Sequence, residues 1–248
     1  MPMSYLHTLT LISFHRLNPD WRIVVYNFIY PSEPSYAPKY IHYRGEDHFK
    51  YVRTWEWVEI HDVKVEPTEI HSILVCDKWR REVLYENGGV YSDFDVLWIK
   101  PIEYLKNIKY IGDIDNFTSL VSYYELIKGF HNVSVLISEK ESPFDKVIID
   151  EQAKVTTYYD DQAFGTTLLN RIYPELKDIP YPVLAVPYET FYPYSTYNLR
   201  QLFIDDDLSV ITENTIAVHW FNGNPLAKMF INNSLYDNKC SLNSLING

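Results

Sequence analysis

The segment from Asp77 to Asp95, DKWRREVLYENGGVYSDFD, constrains this chain more than any other. It reads as the end of an amphipathic helix, a Gly-Gly turn, a strand, and two carboxylates two residues apart. Asp77, Arg80 and Leu84 fall at helical spacings and can line one side of the helix. Gly88 and Gly89 are the natural stop, because glycine takes left-handed or tightly turned backbone without steric cost. A strand starting at Val90 and closed by Pro101 then places Asp93 and Asp95 on one face and Phe94 on the other.

Carboxylates seldom point into a strand-rich core without a cation or a donor to meet them. A pair on one face, followed at once by Val96, Leu97, Trp98 and Ile99, implies a polar pocket at the edge of a buried sheet. Hard divalent ions such as Mn2+ or Mg2+ want such oxygen ligands, with positions left for phosphate or water. The same residues also fit an acidic surface turn, a calcium site or an ion-pair network.

His219 is the second candidate. It ends an apolar strand from Ile216 to Trp220 and precedes a turn with Asn222 and Asn224. Neutral imidazole can complete a metal sphere begun by carboxylates, and the asparagines offer more oxygen donors beside it. A structural histidine is the alternative. The other histidines, His7 among them, show no spacing that argues for a site. Arg80 shares the Asp77 side of the helix and suits sugar hydroxyls or phosphate oxygens, whereas Arg81 points about 100° away. An exposed Asp77–Arg80 ion pair on the helix is equally compatible with the spacing.

The 248 residues are read as one α/β domain. The net charge of −11 argues against a partner with a phosphate backbone, so no nucleic acid is expected. The two cysteines, Cys76 and Cys240, fit a reducing compartment. No signal peptide and no apolar run of membrane-spanning length is visible, and a cytoplasmic protein is expected. The expected elements are a helix over 4–16 capped by Ser4, a buried strand from Arg22, and a proline-rich loop over 31–50. A short strand or helix follows near Trp55 and a short strand near Val63, and the central helix opens at Thr68. Beyond the carboxylates come strands over 108–112, 120–124, 131–138 and 183–186, with helices from Pro143 and Gln162 and a short one near Leu226.

The compound pattern of Asp77, Arg80, Leu84, Tyr85, Gly88, Gly89, Tyr91, Asp93 and Asp95 resembles the sugar-binding region of glycosyltransferases with a DXD motif. That group contains yeast-type initiating mannosyltransferases and, more distantly, the glucosylating domains of large clostridial toxins. Flanking likeness lies in Ser13 and Phe14, in Asn18 to Trp21, and in His219, Trp220, Asn222 and Gly223. The resemblance implies a GT-A-type fold, a mixed sheet with a Rossmann-like nucleotide-binding half. It implies transfer of a sugar from a UDP- or GDP-linked donor to a glycan or other hydroxyl acceptor, with retention of configuration; a metal-dependent phosphohydrolase or nucleotidyltransferase using the same carboxylates, and a noncatalytic nucleotide- or sugar-binding relative, are the alternatives. Asp77, Arg80, Asp93 and Asp95 would be the catalytic set. Asp77, Arg80 and Asp93, with Trp79, Tyr91 and Asn222, would hold the nucleotide sugar. Asp95 and Asp93, with His219 and Asn224, would hold Mn2+ or Mg2+. Family members begin with a strand bordering the nucleotide, and this chain starts at the helix after it, so Phe14, Tyr26 or Trp79 would build the base pocket. No Gly-x-Gly-x-x-Gly appears, and NAD is not implied. Asp160, Asp161 and Gln162 form a loop able to reach the sugar or, alternatively, a capped turn.

Overall fold

The computed structural model describes residues 2–30, 43, 45–65, 72–123, 131–155, 162–205, 207–232 and 241–247. In chain order the elements are α1 (Tyr5–Leu17), β1 (Ile23–Ile29), α2 (Phe49–Val52), β2 (Val58–Lys64), α3 (Ser72–Asn87), β3 (Gly89–Ser92) and β4 (Val96–Trp98). They continue with β5 (Ser119–Tyr123), β6 (Val135–Ser138), α4 (Pro143–Gln152), α5 (Thr166–Ile172), β7 (Val183–Pro187), α6 (Leu199–Phe203), β8 (Ala217–His219), α7 (Pro225–Asn232) and α8 (Ser241–Asn247). The α/β class is as expected, but the described strands form three sheets. These are β1-β2, the mixed four-stranded β3-β6-β5-β7, and β4-β8.

The chain divides into two compact units. The first comprises Met1–Pro67, Asp93–Leu105 and Phe191–Gly248. Its α1 begins with Ser4 as the expected cap, in a capping box whose return bond comes from His7. Asn18 closes the helix: its N–H and its Nδ2 both donate to the Phe14 carbonyl, at 2.8 and 3.0 Å. Leu6 and Leu9 pack with Leu97, Tyr194, Phe203 and Trp220, while Leu11 joins Ile23, Val25 and Val52. The segments near Trp55 and Val63 meet in one strand, β2, running parallel to β1 from Ile23↔Val58 to Ile29↔Lys64. Tyr192 and Tyr194, from the stretch read as a loop after β7, are core side chains.

The second unit comprises Thr68–Ser92 and Lys106–Thr190. Its sheet is apolar along β5 and β7, where Leu120, Val121, Leu184, Ala185 and Val186 are all buried, as a parallel pair covered on both faces requires. Phe144, Ile148, Leu168 and Leu169 of α4 and α5 pack with Val121. Gly88 ends α3 in the left-handed region at φ 70°, and a Cβ there would stand 2.7 Å from the Lys140 backbone nitrogen. Only glycine fits both conditions.

Several expectations are corrected. The strand from Val90 to Pro101 is two strands in two different sheets, β3 and β4, so Asp93, Phe94 and Asp95 form the turn between them rather than one strand's alternating faces. Residues 108–112 contribute only an isolated bridge, Ile111↔Ala185. The helix expected from Gln162 starts at Thr166, with Gly165 at its N-cap. α2, α6 and α8 were not anticipated. Thr68, most of the proline-rich loop, Asp160 and Asp161 lie outside the described residues. Among the described residues no helix is long and apolar enough to cross a membrane.

Candidate metal centre

The site in the first unit is built by a short antiparallel pair. β4 and β8 are buried throughout, and their register sets Val96 opposite His219, which brings the end of β8 beside Asp95. The Trp220 N–H then donates to the Asp95 carbonyl at 2.8 Å, extending the pairing past the strands. Phe94 packs against the Met3, Leu11, Ile23, Val25 and Val52 cluster, and its carbonyl accepts from Thr10 Oγ1 at 2.8 Å. The turn is thus anchored by its middle residue, and the two carboxylates flank the anchor.

Asp95 Oδ2 accepts the Asn222 N–H at 2.8 Å and lies 3.1 Å from His219 Nε2. Burial pushes this carboxyl group up. The opposing pull of the His219 charge and hydrogen bond, the Asn222 N–H and the charge of His7 is larger and holds it down at about 2. His7 is itself pushed down by burial, against the raising influence of Asp95 and a side-chain hydrogen bond with Asn222. Asn222 is delivered by Phe221, which sits at φ 53°, and such backbone costs a non-glycine residue about 1–3 kcal/mol.

Asp93, Asp95 and His219 each offer one ligand atom, and these atoms lie within 4.8 Å of one another. Ligands adjacent around an ion at roughly 2.1 Å stand about 3 Å apart, so small side-chain rotations would close the set on a divalent cation. A second observation favours the fit. His219 Nδ1 is buried and, among the described residues, has no hydrogen-bond partner. Leaving such an atom unsatisfied costs about 1–3 kcal/mol, and an imidazole that can turn a lone pair to a cation escapes that cost. Two carboxylates and one imidazole suit a hard or borderline divalent ion.

Residues 7–118 match the family described as glycosyltransferase sugar-binding region containing DXD motif. The matched segment holds Asp77, Arg80 and both carboxylates of the turn, and it ends well before His219. No curated protein and no solved structure matches the chain.

The remaining sequence candidates have other surroundings. Asn224 donates through Nδ2 to the Thr196 carbonyl at 3.2 Å, and its Oδ1 accepts the Leu226 N–H at 2.9 Å, which caps the first turn of α7. Its amide oxygen is therefore already engaged. Phe14 packs edge-on to Trp21 and Trp98, and Tyr26 edge-on to His61. In the second unit Asp77 and Arg80 pair with each other while 3% and 8% exposed, which removes the exposed-helix alternative. Arg80 also donates to the Val133 carbonyl at 2.6 Å and lies 4.8 Å over the Tyr91 ring. Trp79 is half-buried on α3. At Gly165 a Cβ would stand 3.2 Å from Asp77 Oδ2.

Two features escaped the sequence reading. Arg81 is as buried as Arg80 and pairs with Asp145 at 2.6 Å, and Asp145 also accepts from Ser138 Oγ. Nothing local marks Asp145 as the partner, since the two lie 64 residues apart. The other is His7. Its signal was the Ser4-x-x-His7 spacing, which puts a histidine where a capping box ordinarily carries Glu or Gln.

Proposed function

We propose that the protein is a metal-dependent glycosyltransferase that moves a sugar from a UDP- or GDP-linked donor to a hydroxyl acceptor. The observation that carries this reading is the convergence of Asp93 and Asp95 with His219, more than 120 residues away, into one set of ligand atoms. These carboxylates are also the motif for which the matched family is described.

In this reading Asp93, Asp95 and His219 hold Mn2+ or Mg2+. Bound there, such an ion would supply positive charge to a leaving diphosphate. The residues themselves do the preparatory work. His219 and the Asn222 N–H keep the Asp95 carboxyl group ionised and oriented, and Phe94 fixes the turn that presents it. The family resemblance supports assigning Asp77, Arg80, Trp79 and Tyr91 to the donor. It also supports retention of configuration, which proton NMR of the product anomer reads.

A donor-cleavage screen over UDP- and GDP-sugars, with and without Mn2+, tests the proposal. Metal-stimulated release of nucleoside diphosphate by the wild type, lost in Asp95→Ala, is expected. Turnover kept in Asp95→Ala with the same metal dependence would overturn it. So would release of phosphate from simple phosphomonoesters without any cleavage of nucleotide sugars, which would instead mark a phosphohydrolase.

A further inference from the structure

We propose that His7 is a positioning residue for Asp95, acting through the turn at Trp220–Asn222; the inference rests on the metal reading above. A usual capping box ends where it begins, because the Glu or Gln at its third position reaches back to the cap N–H and stops there. An imidazole has a second nitrogen. Here Nδ1 accepts the Ser4 N–H at 3.0 Å and stands 2.8 Å from Ser4 Oγ, so the ring hydrogen lies on Nε2, on the side away from the cap. The ring packs on Trp220, 5.4 Å away centroid to centroid, and the Asn222 side chain lies near enough to favour the protonated ring.

Trp220 and Asn222 are the two residues whose backbone N–H groups hold Asp95, one at its carbonyl and one at Oδ2, both at 2.8 Å. Between them sits Phe221 in left-handed backbone, a conformation that persists only where neighbours impose it. His7 packs on the residue before that strained position and feels the side chain of the residue after it. The start of α1 therefore does two tasks with one side chain: it closes the helix cap and it holds the strained turn against the carboxylate. Outer partners of this kind commonly change metal affinity ten- to a hundredfold when removed.

Mn2+ affinity of the full-length protein, measured by titration calorimetry beside the melting temperature, provides the test. His7→Leu is expected to weaken Mn2+ binding about tenfold or more. His7→Gln, which keeps an acceptor for the cap and an N–H for Asn222, is expected to restore most of it. Ser4→Ala, which removes the cap hydroxyl and leaves the His7–Asn222 contact, is expected to lower the melting temperature while Mn2+ affinity stays within about twofold. Asn222→Ala reaches the same contact from the other end without disturbing the cap, and its loss should not multiply with that of His7→Leu. Wild-type affinity in both His7→Leu and Asn222→Ala overturns the proposal, as does a Ser4→Ala loss equal to that of His7→Leu. A wild type that binds no divalent ion overturns the metal reading along with it; an ion whose binding ignores His7 overturns this inference alone.

Discussion

Both units bury carboxylates beside basic groups, yet they do so on different terms. In the second unit the partners are arginines, whose charge is permanent, and each pair is further tied: Arg80 to the Val133 carbonyl, Asp145 to Ser138. Acid and base are matched one to one. In the first unit Asp95 meets an imidazole, whose charge is conditional, and a backbone N–H, and Asp93 brings a third ligand atom within 4.8 Å. Burial alone does not mark a metal site. Convergence of ligand atoms around a base of conditional charge does.

The contrast can be broken at four points. The largest effect belongs to the second unit: Asp145→Ala leaves Arg81 buried and uncompensated and is expected to cost about 3–5 kcal/mol in urea unfolding. A loss below about 1 kcal/mol would show that this pair is not the fixture described here. In the first unit, Asp95→Asn keeps the side-chain shape and removes the charge. Metal-dependent donor cleavage should fall at least about a hundredfold, near 3 kcal/mol of barrier.

Acid comes next. Because the folded protein holds Asp95 down at about 2, below the usual 3.8, its contribution is present above pH 4 and fades as pH falls toward 2. That stabilisation amounts to roughly 2 kcal/mol, and His219→Ala should abolish most of it, as unfolding at pH 5 and pH 3 would show. The smallest effect is expected for Asp93→Asn, read as the gain in melting temperature on adding metal. With Mn2+ present the same variant should gain less in melting temperature than wild type. An equal gain would remove Asp93 from the ligand set.

The sequence made some of this legible and hid the rest for physical reasons. α1, its Ser4 cap and the glycine stop after α3 are written in local spacing and glycine chemistry, and all three are present. Asp93, Asp95 and His219 were legible because their residue types are costly to bury without a purpose. The break between β3 and β4 was not, since alternation from Val90 to Ile99 fits one strand as well as two; only pairing with β6 and with β8 separates them. The Arg81–Asp145 pair depends on a contact across 64 residues that no local pattern encodes. His7 was overlooked because histidine is a rare occupant of its position in a capping box, although that spacing could have been read.

Phe94 carries a consequence for reading motifs of this type. With its ring keyed into the Met3–Val52 cluster and its carbonyl held by Thr10, the unnamed middle letter acts as a keel. A chain that kept both aspartates and exchanged Phe94 for a small polar residue would look intact in any survey of motif letters. Its two acids would be free to drift, and a library randomised only at that letter should return mostly inactive clones.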